Sequence, residues 1–108
     1  MTKEHKNELL KEIQEVLQES ESNYNSFDLI ENYNGYEVII YYNYPSFENE
    51  KNEKVLVFDC LSVDLSLKLI TRFYKYVYKA NTTTQISNNI IDYEKLTTAL
   101  NIINWWYN

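Results

Sequence analysis

Apolar residues recur along the first segment with a helical period. Leu9, Leu10, Ile13, Val16 and Leu17 fall at i, i+1, i+4, i+7 and i+8, which predicts a helix over residues 3–20. Thr2 is placed to cap it, and Glu4, Glu8, Glu12, Glu15 and Glu19, mixed with Lys3, Lys6 and Lys11, form its solvated side. After the loop SESNYNS the period drops to two. SFDLIENY, YEVIIYYNY and VLVFDCL read as three strands. Asn34-Gly35 between the first two is a hairpin signal, because both residues tolerate positive φ in a type I′ turn. Pro45 closes the second strand, since it cannot donate to a ladder, and SFENEKNEK is a polar loop. Helical spacing then returns. Leu65, Leu69, Phe73, Tyr76, Val77 and Ala80 predict a helix over 63–80, capped by Ser62 or Asp59. NTTTQISNN reads as a loop of turn formers. A third helix over 90–106 follows, begun by Asn88 or Asn89, with Leu96, Ala99, Leu100, Ile103 and Tyr107 on one face. The expectation is an α+β fold in one domain spanning 1–108. It is a three-stranded antiparallel meander with one N-terminal and two C-terminal helices, in the order α-β-β-β-α-α.

Side chains alternate along a strand. In the second strand Tyr36, Val38, Ile40, Tyr42 and Tyr44 point one way, and Glu37, Ile39, Tyr41 and Asn43 the other. The first set reads as core. The second is mixed, and across the strands that side keeps Ile30, Ile39, Tyr41, Val55 and Val57. Either the first helix covers it, or it is a partner surface, where tyrosine contributes area with few rotamers and a polar tip. Trp105-Trp106-Tyr107 is a second candidate. Adjacent residues on a helix diverge by about 100°, so one of Trp105 and Trp106 can face the core while the other faces a partner.

Composition narrows the class. With 44% hydrophobic and 16% aromatic residues, 108 residues can bury a core. No apolar run approaches the ~20 residues that span a bilayer. The N-terminal stretch lacks a continuous apolar segment of the signal-peptide type, so a cytoplasmic location is expected. Asn-X-Thr at Asn81 then carries no glycosylation meaning. Asn, Tyr, Ile and Lys make up 44 residues, while Ala, Gly, Pro and Arg make up 5. That bias follows AT-rich codons and points to a low-GC bacterium, its plasmids or its phages. Net charge is −6, unevenly placed: residues 1–54 hold 12 acidic and 5 basic side chains, residues 55–108 hold 4 and 5. Such a protein is steered toward basic surfaces and away from nucleic acid.

Signals for catalysis are absent from the sequence. There is no G-x-S-x-G, H-E-x-x-H, C-x-x-C or Walker pattern. The single glycine serves the turn, so no phosphate loop is available. One cysteine, Cys60, reads as a small buried hydrophobe, and one histidine, His5, as a solvated helix residue. No cofactor, metal or enzymatic activity is expected. Lys68, Arg72, Lys75 and Lys79, with Tyr74 and Tyr78 beside them, form a basic stripe if 63–80 is helical. The stripe reads as the polar face of an amphipathic helix, because four charges on an acidic protein bind phosphate weakly. It is also compatible with a homodimer that pairs it with an acidic loop. The remaining feature is a set of carboxylates: Asp28, Glu31 and Glu37 on the first hairpin, Glu48, Glu50 and Glu53 in the loop beyond. Spaced carboxylates on a small body can occupy a basic groove in place of DNA phosphates, though Lys51 and Lys54 dilute the run.

The meander from SFDLIENYNGYEVIIYY to KVLVFD, the following SVDLSLKLITRFYKYVYKAN, the acidity and the low-GC bias are together similar to a family of small phage-encoded anti-CRISPR proteins that block a type II-A nuclease as DNA mimics. The resemblance lies in element order and acidity and includes no motif, and a basic second helix departs from it. It implies an inhibitor whose partner is a basic, nucleic-acid-binding host protein. The expected partner-binding residues are Asp28, Glu31, Glu37, Glu48, Glu50, Glu53, Tyr41, Trp105 and Trp106. The alternatives are an antitoxin or immunity protein that neutralises a toxin, and a homo-oligomeric accessory protein.

Overall fold

The computed structural model of the chain describes residues 3–19, 24, 26–33, 35–87 and 91–106. Its elements are α1 (Lys3–Glu19), β1 (Ser26–Asn32), β2 (Gly35–Asn43), β3 (Phe47–Glu48), β4 (Lys54–Asp64), β5 (Leu69–Lys79), β6 (Thr82–Ser87) and α2 (Tyr93–Trp106). The α+β class stands, but the three-stranded meander and the second of three helices do not. The strands form one antiparallel sheet in the order β1-β2-β4-β5-β6, and the short β3 pairs with β4 beyond the end of β2. Pro45 therefore interrupts one line of chain along β4: Tyr44 N–H still donates to the Val57 carbonyl at 2.9 Å before the break.

The predicted helix over 63–80 is the end of β4, a four-residue turn and β5. Seven of the eleven residues in LITRFYKYVYK are β-branched or aromatic, and these side chains suit a pleated surface better than a helix. The turn is built by Asp64, whose Oδ1 accepts the Leu67 N–H at 2.8 Å, and by Lys68 at φ 56°. Ser62 and Asp59, expected as helix caps, are strand residues. The predicted loop NTTTQISNN holds β6. Ala80 and Asn81, at φ 51° and 64°, make the two-residue hairpin between β5 and β6. TTTQIS carries no charge and no proline, and Thr82 to Ile86 are exposed along an outer edge of the sheet.

The β1–β2 hairpin is present, one position earlier than Asn-Gly suggests. Asn32 pairs with Gly35, so Gly35 opens β2 instead of lying within the turn. Gly35 has φ 141°, a backbone conformation that L side chains rarely adopt, so the backbone favours glycine there, and a Cβ would also displace the Ser66 hydroxyl in the β4–β5 turn. Asn49 organises the β3–β4 loop by accepting the Lys51 and Glu53 N–H groups, each at 3.0 Å.

Both helices cover the same face of the sheet. Leu9, Ile13 and Leu17 of α1 and Ala99 and Ile102 of α2 form one core with Leu29, Val38, Ile40, Tyr42, Leu61 and Val63. α2 begins at Tyr93: Asp92 Oδ1 accepts the Lys95 N–H at 2.8 Å, an N-cap. The expected caps Thr2, Asn88 and Asn89, Asn34 of the turn signal, Tyr107, and the side chain of His5 lie outside the described residues. The buried side of α2 is also turned from the expected one. Leu100 is 49% exposed while Thr98, Ala99 and Ile102 are buried. Thr98 is tolerated there because its hydroxyl donates back to the Glu94 carbonyl at 3.1 Å.

Candidate functional site

The strand register sorts every side chain onto one of two faces. On the helix-covered face, Asp59 of β4 lies opposite Tyr42 and Lys75. It is 1% exposed, and its Oδ2 accepts from Lys95 Nζ and from the Tyr44 hydroxyl, both at 2.6 Å. The Lys95 amine lies 5.0 to 5.7 Å from the rings of Tyr42, Tyr44 and Phe73. Burial alone pulls this ammonium down, but the hydrogen bond and charge of Asp59, with the Tyr44 hydroxyl, outweigh it and hold the amine above lysine's ordinary range. The Tyr44 hydroxyl is pushed up, first by its bond to Asp59 and then by burial. A polar hollow of about 310 Å³ lies beside Lys95, against Asp92 and Glu94. The amine is already committed to Asp59, so this cluster ties α2 to the sheet.

The opposite face is different. No helix of the described residues lies over it. Three cross-sheet rows define it: Asp28–Ile39–Ser62–Arg72, then Ser26–Tyr41–Cys60–Tyr74, then Asn43–Phe58–Tyr76–Gln85. Leu56 and Tyr78 continue toward the β3 end. Phe58 stacks on Tyr76, with centroids 5.1 Å apart at 14°, and Tyr41 tilts against Phe58 at 6.3 Å. The hydroxyl tips are tied down at the rim: Tyr41 donates to Asp28 at 3.2 Å, Tyr76 to Gln85 at 3.2 Å and Tyr78 to Asn81 at 3.0 Å. Burial, then the Asp28 charge and the hydrogen bond to it, push the Tyr41 hydroxyl up to about 12. Cys60 is buried beneath this layer, and that burial pushes its thiol up. Where Pro45 breaks the strand line, a groove of about 470 Å³ opens between Asn43, Ser46, Leu56, Phe58, Tyr78 and Thr83. The face is therefore an aromatic platform whose hydroxyl tips are held in hydrogen bonds at its rim.

Of the expected partner-binding residues, Asp28, Glu37 and Tyr41 lie on this face, and Glu48 lies on it at the β3 end, opposite Lys54. Glu37 accepts from the Thr71 hydroxyl at 3.1 Å. Glu31 points to the other side of β1, opposite Tyr36. Glu48, Glu50 and Glu53 sit at the far end. Glu37 pairs with Asp64, and Glu48 with Lys54, so ten residues of β4, roughly 33 Å, separate the two groups. The six carboxylates do not form one surface. Trp105 and Trp106 are half-buried against the core, and Trp106 packs edge-on to Tyr36 at 6.0 Å. The basic stripe also dissolves: Lys68 is in a turn, Arg72 faces the platform, and Lys75 lies opposite Asp59 on the covered face, as Lys79 lies opposite Val55. Val55 and Val57, expected on the mixed side, share that covered face.

The residues missed from sequence are Phe58, Arg72, Tyr74, Tyr76 and Tyr78 as members of this platform, and the Asp59–Lys95–Tyr44 cluster. The strand alternation of LITRFYKYVYK could have found the first group. Nothing local joins Asp59 to Lys95. No family model matches the chain, and comparison with curated proteins and with solved structures finds no match. Among the described residues no helix is long and apolar enough to cross a membrane.

Proposed function

We propose that this protein acts by binding another protein through the uncovered sheet face, as a small inhibitor of the antitoxin or immunity type. The observation that carries this reading is the placement of both helices on one side, which leaves Tyr41, Phe58, Tyr74, Tyr76 and Leu56 in one apolar layer with acidic residues Asp28 and Glu37 at its β1–β2 flank. A face of this composition fits a partner with an apolar centre and with basic groups where it meets the β1–β2 flank. The DNA-mimic reading asks more of the carboxylates than their positions offer, because Glu48, Glu50 and Glu53 lie at the opposite end from Glu31 and Glu37. The element order that supported the anti-CRISPR resemblance is replaced by the one observed.

The test compares three tagged proteins in capture from a low-GC bacterial lysate with a salt gradient: the natural chain, Phe58→Ala with Tyr76→Ala, and Glu48→Lys with Glu50→Lys and Glu53→Lys. The expected result is a protein retained by the first and third and lost, by more than tenfold in affinity, from the aromatic variant. A partner lost only with the charge-reversed loop would overturn the reading in favour of an acidic mimic. For a partner identified in this way, growth rescue on co-expression then separates a toxin from other targets.

A further inference from the structure

We infer that the outer edge of β6 receives an extended, carboxylate-bearing segment of another protein as an added strand of the sheet. This goes beyond the reading of the aromatic face, because the edge offers backbone groups that the face does not use. Hydrogen-bond parity fixes which groups these are. In an antiparallel ladder a residue turns its N–H and C=O to the same neighbour, and successive residues turn to opposite sides. Tyr44 N–H donates to the Val57 carbonyl and Leu65 N–H to the Tyr36 carbonyl. Val57, Asp59 and Leu61 therefore bond toward β2, and Leu56, Phe58 and Cys60 bond to Tyr78, Tyr76 and Tyr74 of β5. That leaves Lys79, Val77 and Lys75 to bond Thr82, Thr84 and Ile86 of β6. Thr83, Gln85 and Ser87 consequently turn their N–H and C=O groups outward, about 6.8 Å apart. β6 ends the sheet, and no other described strand pairs with it. Another extended backbone presents donors and acceptors in the matching alternation, and TTTQIS has no charge and no proline to block it.

The surroundings of the edge select the side chains of that segment. Residues 65–91 hold Lys68, Arg72, Lys75 and Lys79 and no Asp or Glu, although the whole chain carries −6. Lys79 pairs with Thr82 at one end of β6. At the other end, Arg72 stands two residues before Tyr74, the partner of Ser87. Both cations are exposed, and neither makes a salt bridge among the described residues. Lys75, between them, is turned toward β2, with its amine 5.3 Å from the Tyr44 ring centroid. A strand outside β6 lies two strand spacings from β5, about 9.6 Å, a gap that a lysine or arginine and a glutamate side chain bridge together. The chain's own strand carboxylates interfere little. Asp59 is paired to Lys95, and Asp28, Glu31 and Glu48 lie three or four spacings from β6, about 14–19 Å, beyond the Debye length of about 8 Å. A second copy fits this edge less well. Its β6 brings no carboxylate to Lys79 and Arg72, and its acidic β1 would make a head-to-tail contact that does not close.

Amide hydrogen exchange followed by NMR tests the inference on the natural chain. The probes are two eight-residue peptides, one alternating valine and glutamate and one alternating valine and lysine. Without peptide, the Thr83 and Gln85 amides should exchange freely, while Thr84 and Ile86 are held by β5. The valine–glutamate peptide should slow exchange at Thr83 and Gln85 by more than about tenfold, and the valine–lysine peptide should leave it unchanged. Arg72→Glu with Lys79→Glu should reverse that preference. Gln85→Pro removes one outward donor at a position that an edge strand tolerates, so it should abolish protection of Thr83 while circular dichroism shows the fold intact. The inference is overturned by protection with neither peptide, by equal protection with both, or by protection that survives Gln85→Pro. It is also overturned by protection that rises with the concentration of the chain alone, which would make a second copy the occupant. Capture of a protein by the aromatic face is read separately with Phe58→Ala and Tyr76→Ala, and Gln85→Pro should leave it in place.

Discussion

Lys95 belongs to a helix face that also carries Ala99 and Ile102, a position where an unpaired ammonium would be expelled. It stays because Asp59 is already buried beneath it. A buried pair of this kind contributes little against an apolar replacement, but breaking it strands a charge. Lys95→Met should therefore cost about 3–5 kcal/mol in urea unfolding, and adding Asp59→Val should recover most of that. Costs that simply add in the double variant would show that the two groups are not coupled. The raised amine sets the pH dependence. Its contribution is fully present below the ordinary lysine value, about 10.4, and is lost only as pH rises through the higher folded value. Urea unfolding of the natural chain should thus show no loss of stability from titration of Lys95 between pH 6 and 9. None of this was legible in the sequence. Asp59 has the character of a cap residue, Lys95 that of a surface residue, and 36 positions separate them.

At the scale of elements, the β5–β6 hairpin shows how the chain tolerates an unfavourable local choice. Ala80 occupies the left-handed region, where its Cβ costs roughly 1–2 kcal/mol and asparagine or glycine costs less. Ala80→Asn, which leaves the Tyr78–Asn81 hydrogen bond in place, should raise stability by up to about 1 kcal/mol, measured by thermal or urea unfolding, and a loss would show that the turn is not of the type I′ form. The same hairpin explains the main error of sequence reading. α1, β1, β2 and most of β4 are legible because each has one clean period: Leu9, Ile13 and Leu17 in the first, and Val38, Ile40 and Tyr42 in the third. The segment 63–80 satisfies both periods, since Leu65, Leu69, Phe73 and Tyr76 fit a helix while aromatic and β-branched content fits a strand. Long-range pairing with β4 decides between them, and no local pattern reports it. For α2, the element is legible but its rotation is not, because Lys95 and Thr98 stand where apolar residues would be expected. The candidate face follows the same division. Tyr41, Asp28 and Glu37 were visible from β2 and β1, whereas its other half came into view only with β5.

The whole molecule measures 49 × 30 × 24 Å, a long sheet with both helices on one side. Its two edges are treated differently. β1 carries Asp28 and Glu31, charges that discourage another strand from pairing, while β6 presents TTTQIS with none. The bare edge is kept apart from its neighbours by the net −6 charge of the rest of the chain. That protection is colloidal and disappears near the isoelectric point, about 4.7. Acidification to that value should therefore produce thioflavin-positive assemblies of stacked edges, and Thr84→Lys should suppress them. Equal turbidity in both proteins would assign the loss of solubility to another surface. The strand that reads as an inert loop is thus the molecule's weakest boundary, a template for ordered precipitation that only the protein's surplus of negative charge holds in check.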